Sequence, residues 1–184
     1  MTILTTFTTD DRGGPAHRER ATSAPPEITR ELARIGVEFE RWRASKELET
    51  GASQDDVLSA YRADVDRLMG RGGYASADVV RMHPDHVDRA TLRTKFLAEH
   101  THAEDEVRFF VEGAGAFYLR DGARVLKIVA TPGDLLRLPA GVRHWFDMGP
   151  DPYFAAIRLF KTPAGWTASF TGDAIAERVP YYLP

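Results

Sequence analysis

From about Leu97 onward the chain is cut into short apolar runs by turn-forming residues, at Gly113 to Gly115, Asp121-Gly122, Pro132-Gly133, Pro139 to Gly141 and Gly149 to Pro152. Glycine supplies backbone with positive φ, while proline fixes φ and removes a donor, so each cluster is a point where the chain turns. Apolar runs this short and this closely spaced read as strands of an antiparallel sandwich or barrel. That pattern constrains the fold more tightly than anything before it.

The front of the chain carries a helical period instead. Pro25 and Pro26 open a segment with Ile28, Leu32 and Ile35 on one face, ending at Gly36. Ser53 and Asp56 form a capping-box-like start, and Val57, Tyr61, Val65 and Leu68 continue at helical spacing to Gly70, which predicts one amphipathic helix. A further helix is expected over Asp85 to Phe96. Residues 2–7 and Ala77 to Met82 read as strands, and Asp10 to Pro25 as a loop. Val37 to Trp42 permits strand or helix, with strand preferred. No repeat and no low-complexity tract interrupts the plan. The expectation is one folding unit over residues 1–184, mostly β with flanking helices (α+β): a strand and loop over 1–25, a helical front half over 26–96 and a β-rich core over 97–184.

Charge and composition narrow the chemistry. A net charge of −3 argues against nucleic acid as a partner, since phosphate binding needs a basic stripe. No apolar stretch approaches bilayer length, and MTILTTFTTDD lacks the features of a secretory signal, so no membrane association and a cytoplasmic location are expected. The chain has no cysteine, so any metal must rest on histidine and carboxylate.

Of the six histidines, His100, His102 and His144 fall in the β-rich half. Residues two apart in extended backbone share a face, so His100 and His102 can aim both imidazoles at one point. An HxH pair by itself also arises by chance, and lone histidines are usually surface or satisfied core residues. In EVRFFVEG, Glu106, Arg108 and Phe110 share one face, and Val107, Phe109 and Val111 the other. The second face suits packing against another layer, so the first, polar and turned inward, reads as a site. The run from Gly133 to His144 is a strand between two turns, and a hairpin there would return His144 to the first motif. Three imidazoles and a carboxylate make a mixed N and O set suited to Fe, Ni, Mn, Co or Zn, leaving two positions open on an octahedral ion for an oxygen-rich chelating substrate. Glu104 and Asp105 read as turn and solvent residues, with a supporting hydrogen bond to a ligand histidine as the alternative. His17, His83 and His86 read as surface residues.

The spacings His100-x-His102-x3-Glu106-x6-Gly113 and Gly133-x5-Pro139-x-Gly141-x2-His144 resemble the paired signatures of the cupin superfamily, whose fold is an antiparallel β-barrel of the jelly-roll type. Two positions depart from the pattern, Thr94 in place of a glycine and Met148 in place of an asparagine, and neither is a ligand. Within the cupins, FLAEHTHAEDEVRFFVEGAGAFYL, HWFDMG and GW-x3-FTGD resemble the acireductone dioxygenases of methionine salvage, most strongly from about Phe96 to Asp173.

The resemblance implies His100, His102, Glu106 and His144 as metal ligands, one Fe2+ or Ni2+ per chain, and Arg108 as the catalytic cation beside a bound substrate anion. It also implies Phe96, Phe146 and Trp166 as substrate-binding aromatics. Phe146 shares strand parity with His144, Phe96 and Trp166 read equally well as core, and Trp145 should face away from the site. The implied partners are the acireductone 1,2-dihydroxy-3-keto-5-methylthiopentene and O2, acting on a monomer. The implied products are 2-keto-4-methylthiobutyrate and formate with iron, or methylthiopropionate, formate and carbon monoxide with nickel. The competing readings are another metal cupin, a dioxygenase or an isomerase, and a non-catalytic cupin that binds a small ligand.

Overall fold

The segment Glu106–Asp121 forms a single 16-residue strand, the longest among the described residues, around which the other elements are arranged. The computed structural model describes residues 1–10, 13–162 and 167–184. Its strands are β1 (Ile3–Thr8), β2 (His17–Thr22), β3 (Glu38–Arg41), β4 (Ser76–Met82), β5 (His100–Thr101), β6 (Glu106–Asp121), β7 (Arg124–Ala130), β8 (Asp134–Leu138), β9 (His144–Asp147), β10 (Tyr153–Phe160) and β11 (Ser169–Phe170). Helices α1 (Pro25–Ala33), α2 (Gln54–Ala60), α3 (Arg62–Gly72) and α4 (Arg89–Leu97) precede the β-rich half, and a 3-10 helix covers Ala174–Arg178.

Strand β6 belongs to two arms of one antiparallel sheet. Its first half pairs with β8 on one side and β10 on the other, and these continue to β3 and β4. Its second half pairs with β9 and β7, extending the other arm through β5 and β11 and through β1 and β2. The change of direction falls at Gly113, whose φ of +59° only glycine adopts without strain. A Cβ there would also overlap the Tyr153 carbonyl oxygen of β10. Between Ala155 and Ala156 the β6–β10 register slips past Val111, a bulge that bends and twists the strand. The expected antiparallel jelly-roll architecture is present, but the ladder does not close into a complete barrel: β2 and β11 end one arm, β3 and β4 the other.

Burial follows this geometry. Phe110, Phe117, Leu126, Ile128, Leu136 and Phe154 fill the space between the arms, with Ile28 and Leu32 of α1 against them. Val107, Phe109 and Val111 face outward beneath Val57, Tyr61, Val65 and Leu68 of α2 and α3, as their alternation predicts. On the back of the other arm, Tyr118 and Trp145 stack with ring centroids 5.0 Å apart and are covered by the C-terminal segment. The inward parity therefore passes from Glu106, Arg108 and Phe110 to Phe117 and Leu119, a switch that the bulge and bend impose.

Several expectations need correction. The expected loop from Asp10 to Pro25 contains β2, an exposed edge strand on β1 whose charged sequence HRERAT hides its pairing. The single helix from Ser53 to Gly70 is two, broken at Tyr61, whose backbone leaves the helical region (φ −108°, ψ 20°) while its ring packs edge-on against Phe109. The capping box at Ser53 and Asp56 is complete. Helix α4 starts at Arg89, later than expected. Strands β8 and β9 are not a hairpin: they lie one after the other along β6, in different arms. No helix among the described residues is long and apolar enough to cross a membrane.

Candidate metal centre

Strand β5 sets His100 directly opposite His144 of β9, and β6 starts at Glu106 just after the turn that follows His102. All four side chains are buried, His100 and His102 at 8% exposure, Glu106 at 6% and His144 at 2%. One ring nitrogen from each histidine lies within 4.8 Å of the other two. Glu106 Oε2 lies 3.3 Å from His102 Nε2 and 2.7 Å from His144 Nε2.

Backbone carbonyls determine which nitrogen faces the centre. His100 Nδ1 is 2.7 Å from Ala98 O, His102 Nδ1 3.0 Å from Thr167 O and His144 Nδ1 2.8 Å from Val142 O. A carbonyl can only accept, so each Nδ1 carries the proton, and a neutral ring held in this way offers its Nε2 lone pair inward. Burial pushes His100 down to about 4 and lowers His102 as well, so both are neutral near pH 7. Burial works to raise the Glu106 carboxyl, but the Arg108 guanidinium outweighs it and holds the group well below the usual carboxylate range.

Lone pairs and a carboxylate converging without a donor are mutually repulsive. His144 Nε2 and Glu106 Oε2 are close, yet both are buried and neither completes a hydrogen bond. A divalent cation relieves that conflict. Donors at right angles on an ion bonded at about 2.1 Å lie roughly 3 Å apart, a spacing that the contacts of 3.3 Å and 2.7 Å bracket. The residues present therefore fit a metal ion, and their N and O character suits a first-row transition metal.

The other Glu106 oxygen meets Arg108, with Nη2 to Oε1 at 2.6 Å. Burial lowers the Arg108 guanidinium to about 10, opposed by Glu106, which leaves it charged at neutral pH. Beside this pair opens a cavity of about 570 Å³. Phe96, Phe110, Phe146 and Phe154 line it, and the Phe96 and Phe146 rings sit 6.3 Å apart. Trp166 lies outside the described residues, and Trp145 faces away into the outer cluster, as parity predicts.

Among the cavity-lining residues that the sequence reading missed are Arg158, Lys95 and Phe170. Arg158 stands beside Arg108 in the β10–β6 register, and Asp78 neutralises it through an Nε to Oδ1 bond of 2.6 Å. An arginine at the inward parity of YFAAIRLF was the available signal. Phe170 packs against His100 at 5.8 Å and belongs to the FTGD motif already singled out. Glu104 and Asp105 support no histidine. Glu104 accepts from Thr162, and Asp105 from Arg137 and the Ala140 amide, because backbone carbonyls already occupy each Nδ1. His83 is half-buried instead of exposed, with its ring edge-on to Tyr153 and its Nε2 without a hydrogen bond.

Comparison with known proteins gives a consistent set of likenesses. A family model described as the ARD/ARD' family matches residues 5–168. An acireductone dioxygenase of Parvibaculum lavamentivorans is 54% identical over 182 residues, covering 99% of this chain and 97% of that protein. An acireductone dioxygenase of Synechococcus sp. strain CC9902 is 56% identical over 159 residues, covering 86% of each. Among solved structures, an acireductone dioxygenase from Bacillus anthracis with a cadmium ion in its active centre superposes with a TM-score of 0.76 at 25% identity, over 90% of this chain and 98% of that one.

Proposed function

The chain belongs to the ARD/ARD' family of acireductone dioxygenases, and from that premise we propose that it is a metal-dependent dioxygenase that cleaves 1,2-dihydroxy-3-keto-5-methylthiopentene with O2 in methionine salvage. The observation that carries this reading is the convergence of three imidazoles, each locked by a backbone carbonyl, and Glu106 at the floor of a cavity that also holds Arg108.

His100, His102, Glu106 and His144 are the proposed ligands of one Fe2+ or Ni2+. When bound, the ion supplies a Lewis acid that chelates and polarises the substrate oxygens. Arg108 is the proposed catalytic cation. Its guanidinium lies against the carboxylate that borders the centre, where it offsets the charge of a bound enediolate through charge-assisted hydrogen bonds. Phe96 and Phe146 flank the planar part of the substrate and keep water from it, and family likeness proposes Trp166 as a further substrate-binding aromatic. Of the basic residues that line the cavity, Lys95 and Arg108 favour an anionic ligand over a neutral one, Arg158 being neutralised by Asp78.

The products proposed are 2-keto-4-methylthiobutyrate and formate for the iron-loaded protein, and methylthiopropionate, formate and carbon monoxide for the nickel-loaded protein. The whole chain is read as one folding unit that works as a cytoplasmic monomer. The deciding experiment follows oxygen uptake with freshly generated acireductone, with metal content and products measured on the same sample. Uptake above the uncatalysed rate is expected. Uptake equal to that background in fully metal-loaded protein would overturn the proposal.

A further inference from the structure

Helix α4 is a wall of the cavity with little to hold it in place. It contributes Leu92, Lys95 and Phe96 to the lining. None of its residues is fully buried, and Asp88 at its start makes no side-chain cap. Leu92 and Phe96 are only partly buried against the central core. Propensity and burial alone leave a helix of 9 residues marginal.

A partly buried ion pair supplies the missing tie. Arg93 donates from Nε to Asp147 Oδ1 at 2.8 Å and from Nη2 to Oδ2 at 3.2 Å, a two-pronged contact that fixes direction as well as distance. Asp147 has no solvent exposure, and it also accepts from the Gly149 amide at 2.9 Å and the Tyr182 amide at 2.8 Å. Both oxygens thus carry two donors, the full capacity of a carboxylate. One side chain joins α4, the turn after β9 and the C-terminal segment. Asp147 also ends the strand that carries His144 and Phe146.

Leu92 and Phe96 are one helical turn apart and share the cavity face, with Arg93 on the flank beside them. Rotation or withdrawal of α4 about a loosened Arg93 would therefore move Phe96 relative to Phe146. We infer that the Arg93–Asp147 pair is a positioning device that sets α4 against the metal-bearing strand and so fixes the width of the substrate cavity. The inference rests on the proposed function for its substrate. Arg93 itself touches neither the substrate nor the donor cluster.

The test compares metal-loaded wild type, Arg93→Met and Arg93→Lys by steady-state kinetics, metal content and amide hydrogen exchange. Arg93→Met is expected to retain metal and the protection of β6, to accelerate exchange across residues 89–97, and to raise KM more than it lowers kcat. The KM increase should be about tenfold or more, since a shift of about 1 Å far from the chemistry can cost up to a hundredfold. Arg93→Lys keeps the charge but loses the fork, and should fall between the two; it carries the same comparison if Arg93→Met does not fold. Faster α4 exchange with KM unchanged would show that the pair only stabilises the helix. Unchanged α4 exchange would remove the pair as its anchor. Both results overturn the inference. Absence of turnover in wild type would instead sink the proposed reaction, while the exchange data would still decide whether Arg93 holds α4.

Discussion

Replacing Gly113 by alanine tests how β6 serves both arms of the sheet. Gly113 has a φ of +59°, where a residue with a Cβ is strained by about 1 to 2 kcal/mol. The new Cβ would overlap the Tyr153 carbonyl oxygen and lie 2.5 Å from its carbon and 2.8 Å from Phe154 Cα. These are backbone atoms, so no side-chain rotation relieves the clash. The strands must separate where Tyr153 and Phe154 pair with Ala114 and Gly113. Losing about two ladder hydrogen bonds there costs about 1 kcal/mol each. The expected destabilisation is therefore about 3 to 4 kcal/mol, a large share of the stability of a typical domain. Urea denaturation followed by circular dichroism measures it from the midpoint, with the slope compared to check that the transition stays two-state. Glu106 and Arg108 are held by pairing to β8, away from the clash, so the folded variant should keep its metal. A loss below about 1 kcal/mol would refute the reasoning, because strain at positive φ alone should reach that figure.

Arg108→Ala is expected to keep bound metal and to lower kcat/KM about a hundredfold or more, measured by oxygen uptake, because it removes the cation proposed to offset the substrate charge. His144→Ala should lose most of its metal on dialysis, since one imidazole is gone from the donor set and Glu106 loses its nearest neighbour in the cluster; elemental analysis at full occupancy would contradict this. Gly115→Ala should narrow the cavity and raise KM, because the new Cβ would lie 2.7 Å from Phe146 Cε2, and that ring is already packed against Phe117 and Phe154. Asp105→Asn should lose about 1 to 3 kcal/mol near pH 7. Burial tends to raise the Asp105 carboxyl, but the Ala140 amide and Arg137 outweigh it and leave it lowered. A lowered carboxyl stabilises fully above its unfolded value of about 3.9 and loses that contribution as pH falls through the native value, so the wild-type and variant urea midpoints should converge in acid.

The residues of the candidate centre were legible because their signal is local. His100 and His102 are two apart, Glu106 begins an alternating strand, and Gly133 to His144 holds its turn residues at fixed spacing. Period and turn chemistry are properties of neighbouring residues, so they also revealed the helical front, the β-rich back, the outward face of Val107, Phe109 and Val111, and the outward turn of Trp145.

Tertiary structure decided what depends on partners distant in sequence. Strand β2 is a strand only because β1 pairs with it. The break at Tyr61 falls where its ring meets Phe109, against a helical period that runs through it unbroken. The tautomers of the three histidines are set by carbonyls, one of them Thr167 O, 65 residues beyond His102. Arg158 reaches the cavity through strand register, and α4 is tied down by Asp147, 54 residues away from Arg93. By itself the sequence determined which side chains were available for the centre and the periodicity that carries them. Their convergence, and the orientation of each lone pair, required the bend at Gly113 and the packing of the two arms, because hydrogen bonds and close contacts are made in space between residues that no local pattern connects.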